Sequence, residues 1–156
     1  MSQNEDKNIN ALETIVAVLK SGNSVELNAA GYSMFPTLRP GDRVIVKPLI
    51  TGELPEPGCV VVCRDRNELV IHRLISIVNN TGKYVFTTRG DSRKEEDRKW
   101  EAEMVGVAVS FKRGKRELLI KKFVPRNMYY YFNRLALWLY FKLKKTRLVL
   151  NIFNRT

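Results

Sequence analysis

Between residues 24 and 120 the apolar residues never run long. They come in short stretches, each stopped by glycine, proline or asparagine, and this punctuation limits the fold more than any other feature. Residues 25–29 alternate apolar and polar, as a strand with one buried face does. Residues 43–47, 59–63 and 69–78 are apolar runs of strand length. Asn79-Asn80-Thr81-Gly82 supplies a hairpin turn between residues 69–78 and 84–88. Residues 104–111 and 117–120 flank another turn at Arg113-Gly114-Lys115, and residues 48–57, with three prolines, read as a loop. The expected fold class is mostly β: a compact antiparallel domain.

A chain of 156 residues suits one such domain with short appendages. Ile9, Leu12, Val16 and Leu19 recur at helical spacing, with Asn8 as a cap and Gly22 as a stop, so a short amphipathic helix is expected over residues 8–21. The expected organisation is a polar leader and short helix over 1–24, the β domain over 25–120, and a basic aromatic tail over 121–156. Nine of the 27 Lys and Arg fall in residues 121–156, which hold no acid; residues 1–120 keep 18 basic against 16 acidic side chains. The net charge of +11 therefore belongs to the tail, which argues against a nucleic-acid groove across the domain.

Cys59 and Cys63 lie in one strand-like run, about 13 Å apart along it, beyond disulfide reach. With one histidine in the chain, a Cys/His metal site is not expected, nor any cofactor. The first ten residues are polar and carry acids, unlike a secretory signal, and the run 15–19 is too short to span a bilayer. A cytoplasmic protein, peripheral at a membrane, is the expectation.

Three segments carry chemistry. Gly31-Tyr32-Ser33-Met34-Phe35-Pro36 opens a stretch ending in Arg39-Pro40-Gly41-Asp42; Ile71-His72-Arg73 follows; Arg89-Gly90-Asp91 comes third, with Asp97 six residues beyond Asp91. They supply a serine, a histidine and two carboxylates, the groups that make a hydroxyl nucleophilic. An imidazole with an ordinary pKa of about 6.5 suits taking the serine proton and returning it to a leaving amine.

Over residues 25–112 the order and surroundings of these boxes resemble the serine endopeptidases of the type I signal peptidase superfamily, whose relatives include self-cleaving repressors of the LexA type. The likeness is to the archaeal and endoplasmic-reticulum members, which use histidine where bacterial enzymes use lysine. The resemblance implies a coiled β fold with Ser33 as nucleophile, its own N–H in the oxyanion hole, and His72 as general base. It implies Asp97 as the third member, with Asp91 supporting the geometry. Gly31, Met34 and Pro36 would meet a peptide substrate. Asp42 is expected as a turn carboxylate and Arg73 as half of an ion pair, while the charged run 93–99 reads otherwise as a solvated loop. Ser92 stands where asparagine or alanine is more usual, and the N-terminal transmembrane anchor usual in the family has no counterpart here.

No lysine falls in register for a lysine base; Lys47 and Lys83 read as surface charges. The sole Ala-Gly pair, Ala30-Gly31, is too close to Ser33 to be a self-cleavage linker. The expected function is therefore a serine endopeptidase acting on an extended peptide or leader sequence. The alternative is an inactive peptide-binding or scaffold protein with the same fold. Residues 123–153 mix aromatics, leucines and cations, which suits either an anionic membrane surface or a helix packed on its own domain.

Overall fold

The structure, a computed structural model, describes residues 3–50, 53–94, 97–98, 103–123 and 127–153, with side chains over 9–50, 53–94, 103–123 and 129–145. Helix α1 (Gln3–Lys20) leads into β1 (Val25–Asn28), β2 (Arg43–Pro48), β3 (Val60–Asp65), β4 (Glu68–Asn80) and β5 (Lys83–Arg89). There follow β6 (Asp97–Arg98), β7 (Glu103–Arg113), β8 (Arg116–Leu119) and helix α2 (Asn127–Phe153). The strands pair antiparallel in the order β1-β2-β7-β3-β4-β5-β6, with β8 also on β7. The mostly-β class is as the punctuation implied, and a helix stands at each end, as also expected.

Two boundaries differ from expectation. Helix α1 starts at Gln3, not Asn8, because its first turns are polar in sequence and so give no apolar period to read. Its end is as expected: Gly22 takes φ 87°, its N–H donates to Leu19 O, and the Asn23 N–H donates to Val18 O. These two bonds form a Schellman stop that only glycine adopts without strain. The run 93–99 is not wholly a loop, since Asp97 and Arg98 pair with Thr88 and Thr87 as the short edge strand β6. Two charged residues leave no period in the sequence.

Leu12, Val16 and Leu19 of α1 close one face of the sheet over Val44, Val46, Val60, Val62, Ala108 and Phe111. Val61, Cys63, Leu74 and Phe86 form a second cluster. Residues 60–63 of β3 thus alternate between two cores, and the strand is an unbroken apolar run for that reason. Strand β7 is paired along both edges, by β2 on one side and by β3 and then β8 on the other. A Cβ at Gly106 would lie 2.7 Å from both Lys47 O and Val46 Cγ1.

Helix α2 forms over the basic tail, and one side of it packs on the β domain: Leu137 and Asn133 are buried there. Among the described residues, no helix is long and apolar enough to cross a membrane. Gly106→Ala should lower stability by about 1–3 kcal/mol, the usual cost of forcing atoms into a packed site, read as a lower urea midpoint with an unchanged denaturant slope.

Candidate active site

The loop carrying Ser33 is closed at its base by main-chain bonds. Ala29 N–H donates to Asp42 O (2.8 Å) and Gly41 N–H to Ala29 O (2.9 Å), with Gly41 at φ 89°. The Asp42 carboxylate accepts the Arg39 N–H at 2.8 Å and the Arg113 guanidinium at 2.8 and 2.6 Å. That carboxylate raises the Arg113 pKa above its ordinary value, against partial burial, so the cation is permanent. Asp42 is the turn carboxylate the sequence indicated. Within the loop, Phe35 N–H donates to Tyr32 O and Leu38 N–H to Met34 O. Met34 and Leu38 drop into the main core, while Phe35 is buried on the other side against Tyr140 of α2, ring centroids 5.4 Å apart. Packing on both sides leaves the loop little room to move.

The chain leaving β5 passes directly against Ser33. Ser92 N–H donates to Ser33 O (2.9 Å), and the Ser92 hydroxyl donates to Tyr32 O (2.7 Å), with Ser33 O also in reach at 3.0 Å. A Cβ at Gly90 would lie 2.6 Å from Ser33 O, so only glycine permits this approach. Ser92 is 6% exposed. Sequence reasoning saw residue 92 only as a departure from family usage; its hydroxyl is a clamp on the nucleophile loop. Among the described residues the Ser33 amide donates to no partner.

His72 reaches Ser33 because β4 changes partner at that point. Residues 68–73 pair with β3, whereas pairing with β5 begins only at Arg73. The second edge of residues 68–72 is therefore open to the serine loop. His72 Nε2 stands 3.1 Å from Ser33 Oγ, and the buried Nδ1 is the other ring nitrogen. With Nδ1 protonated, the hydroxyl donates to Nε2, the arrangement a general base requires. Asp97 pairs in β6 with Thr88, which pairs with Leu74, two residues beyond His72. The side chain of Asp97 lies outside the described residues.

Asp91 is occupied elsewhere. Arg73, adjacent to His72 and fully buried, donates Nε to Asp91 Oδ1 (2.7 Å) and Nη2 to Asp91 Oδ2 (2.8 Å). Its Nη1 donates to Gly58 O (2.7 Å) and Lys121 O (3.1 Å), and Nη2 also reaches Thr37 Oγ1 at 3.4 Å. Thr37 in turn donates to Asp91 Oδ2. All five guanidinium N–H groups thus have acceptors, and the Phe123 ring lies 3.9 Å from the guanidinium carbon. This is the ion pair expected of Arg73, and it gives Asp91 a supporting place beside the serine loop.

A cavity of about 320 Å³ opens beside the pair, with Ser33 and His72 in its lining together with Gly31, Met34, Leu69 and Ile71. A Cβ at Gly31 would meet nothing within 4 Å, so this residue borders open space. Pro36, after a cis peptide bond, is exposed and does not line the cavity. Cys59 and Cys63 are unbridged, and burial pushes the Cys59 thiol pKa up against the pull of the Arg73 cation. It stays protonated at neutral pH and is no rival nucleophile.

Arg73→Met should cost about 3–5 kcal/mol, because the Asp91 carboxylate is then buried without its cation. Adding Asp91→Leu to that variant should recover part of the loss, measured as a double-mutant cycle in urea.

Comparison with known proteins adds nothing to this geometry: no family model matches the chain, and no curated protein matches it either.

Proposed function

We propose that the chain is a serine endopeptidase similar to the signal peptidases, with Ser33 as nucleophile, His72 as general base and Asp97 as the group that orients His72. The observation that carries this reading is the 3.1 Å approach of Ser33 Oγ to His72 Nε2 at the edge of an open cavity. The resemblance of the three boxes to that superfamily points the same way, and the backbone register of β6 supports the role of Asp97.

In this reading Ser33 Oγ attacks the carbonyl carbon of a peptide bond while its proton passes to His72 Nε2. The negative charge on the carbonyl oxygen is met by the Ser33 N–H, which has no other described partner. The C–N bond breaks, His72 gives its proton to the departing amine, and an ester to Ser33 remains. Water attacks that ester, His72 takes the water proton, and Ser33 leaves with it as the free hydroxyl. An extended substrate suits the cavity, because residues 68–72 of β4 keep one edge unpaired among the described strands. Gly31 and Met34 line the place such a peptide would occupy. A second component of the proposal concerns location: the outward side of α2, apolar and basic, suits the surface of an anionic membrane.

A fluorophosphonate probe should label Ser33 in the folded protein and should not label Ser33→Ala, whose urea midpoint stays near wild type. Peptide turnover should fall at least about a thousandfold in the same variant. Labelling should also fade toward acid as one proton is taken up, because imidazolium cannot accept the serine proton. A folded wild-type protein whose serine resists the probe at every pH would leave the inactive peptide binder as the better description.

A further inference from the structure

Helix α2 presents two faces of different character. Toward the β domain, Asn133 Nδ2 donates to Asp91 O at 2.6 Å and Leu137 is buried. Tyr140 and Phe141 meet the Tyr32 ring at centroid distances of 6.3 and 4.9 Å, and Tyr140 also meets Phe35. The Arg39 guanidinium lies over both Phe35 and Tyr140. These contacts fall on the two residues that bracket Ser33-Met34 and on the residue preceding Ser92. Each is made to a loop, not to a strand, so the state of the helix bears on the loops directly.

Away from the domain, Tyr131, Phe132, Leu135, Trp138, Leu139 and Leu143 are 44–64% exposed. At helical spacing they fall within an arc of about 140°. Lys142 lies in the same arc, over the Trp138 ring at 5.0 Å, and Arg134 and Lys145 are exposed beside it. The whole segment from residue 121 onward holds nine cations and no acid. An anionic bilayer surface is the complement of this face. Its headgroups match the cations, its acyl boundary takes the leucines, and Trp and Tyr favour the junction between the two. The helix is too short in apolar length to cross, so it would lie in the surface.

We propose that α2 couples an anionic lipid surface to the nucleophile loop. Lipid on the outer face orders the helix, and the ordered helix holds Tyr32 and Phe35, and with them Ser33, in place against His72. The physical basis is that a helix in a protein draws most of its stability from the packing of its faces and little from propensity, so two faces that each bind share one cost of ordering. Whichever face is occupied first makes the other bind more tightly, by the same factor in both directions. The inference rests on the membrane component of the proposed function and not on the hydrolytic one.

The test is amide hydrogen exchange on the full-length protein with phosphatidylglycerol vesicles, with phosphatidylcholine vesicles and without lipid, alongside co-sedimentation to score binding. The amides of Phe35, Leu38 and Ser92 report the loop, since each donates to a carbonyl within it. With phosphatidylglycerol their exchange should slow at least about fivefold, the lower end of ordinary coupling between sites; phosphatidylcholine should leave it unchanged. Tyr140→Ala should sediment at saturating lipid yet lose the slowing, and Trp138→Ser combined with Lys142→Glu and Lys145→Glu should lose both. Sedimentation with unchanged loop exchange would overturn the coupling. No sedimentation with phosphatidylglycerol would overturn the lipid surface itself and assign the outer face to a protein partner. Fluorophosphonate labelling of the same samples scores the hydrolase reading separately, because loop exchange does not depend on chemistry at Ser33.

Discussion

The buried pair between Arg73 and Asp91 is the constraint on which the rest of the site depends. A guanidinium with no exposure must find an acceptor for every N–H or pay heavily in lost solvation. Here the acceptors come from four separate pieces of chain: Asp91 after β5, Thr37 in the serine loop, Gly58 before β3, and Lys121 after β8. None of these pieces pairs with all the others in the sheet, so one cation sets the distances among them. Arg73 is also the residue next to His72. Alternation along β4 sends one side chain to the buried network and its neighbour toward Ser33. The strand that delivers the imidazole is thereby pinned one residue away from the delivery point.

Position of the serine needs a second set of contacts, because a loop hydroxyl is useful only if the loop holds still. The Gly90-Asp91-Ser92 segment supplies it from one side, and each residue acts differently. Gly90 removes the Cβ that would collide with Ser33 O; Asp91 fastens the segment to Arg73; Ser92 bonds the carbonyls of Tyr32 and Ser33. From the other side the Asp42–Arg113 pair and the Arg39 N–H hold the end of the loop. Both ends and the middle are thus fixed, and the fixing groups are mostly not those that would touch a substrate.

This division explains what could be read from the sequence. The strands were legible because apolar alternation and turn residues are local, and β3 was legible as a run because both its faces are buried. The closeness of Ser33 and His72 followed from the three boxes and not from periodicity. By contrast, the bond from Ser92 to the serine loop joins positions some sixty residues apart, and serine is an ordinary turn residue, so nothing local marks it. Arg73 was legible as an ion-pair member, yet its reach to Gly58 and Lys121 depends on backbone carbonyls, which every residue carries. The strand β6 has only two residues, below the length at which a period exists.

The tail shows the same limit from another direction. Residues 123–153 admitted a packed helix and a membrane-facing one as equal readings, since an aromatic ring at helical spacing looks the same whether protein or lipid covers it. A single polar residue separates the two sides. Asn133 sits among Tyr, Phe and Leu, and a carboxamide buried on an apolar helix needs a partner. Its partner is the main-chain oxygen of Asp91, so the amide fixes the rotation of α2 about its own axis. Once that rotation is set, Leu137 and Tyr140 must face the domain, while Leu135, Trp138 and Leu139 must face away. The packed face and the exposed face are then parts of one arrangement, chosen by a hydrogen bond that ends on the main chain of the residue whose carboxylate holds Arg73.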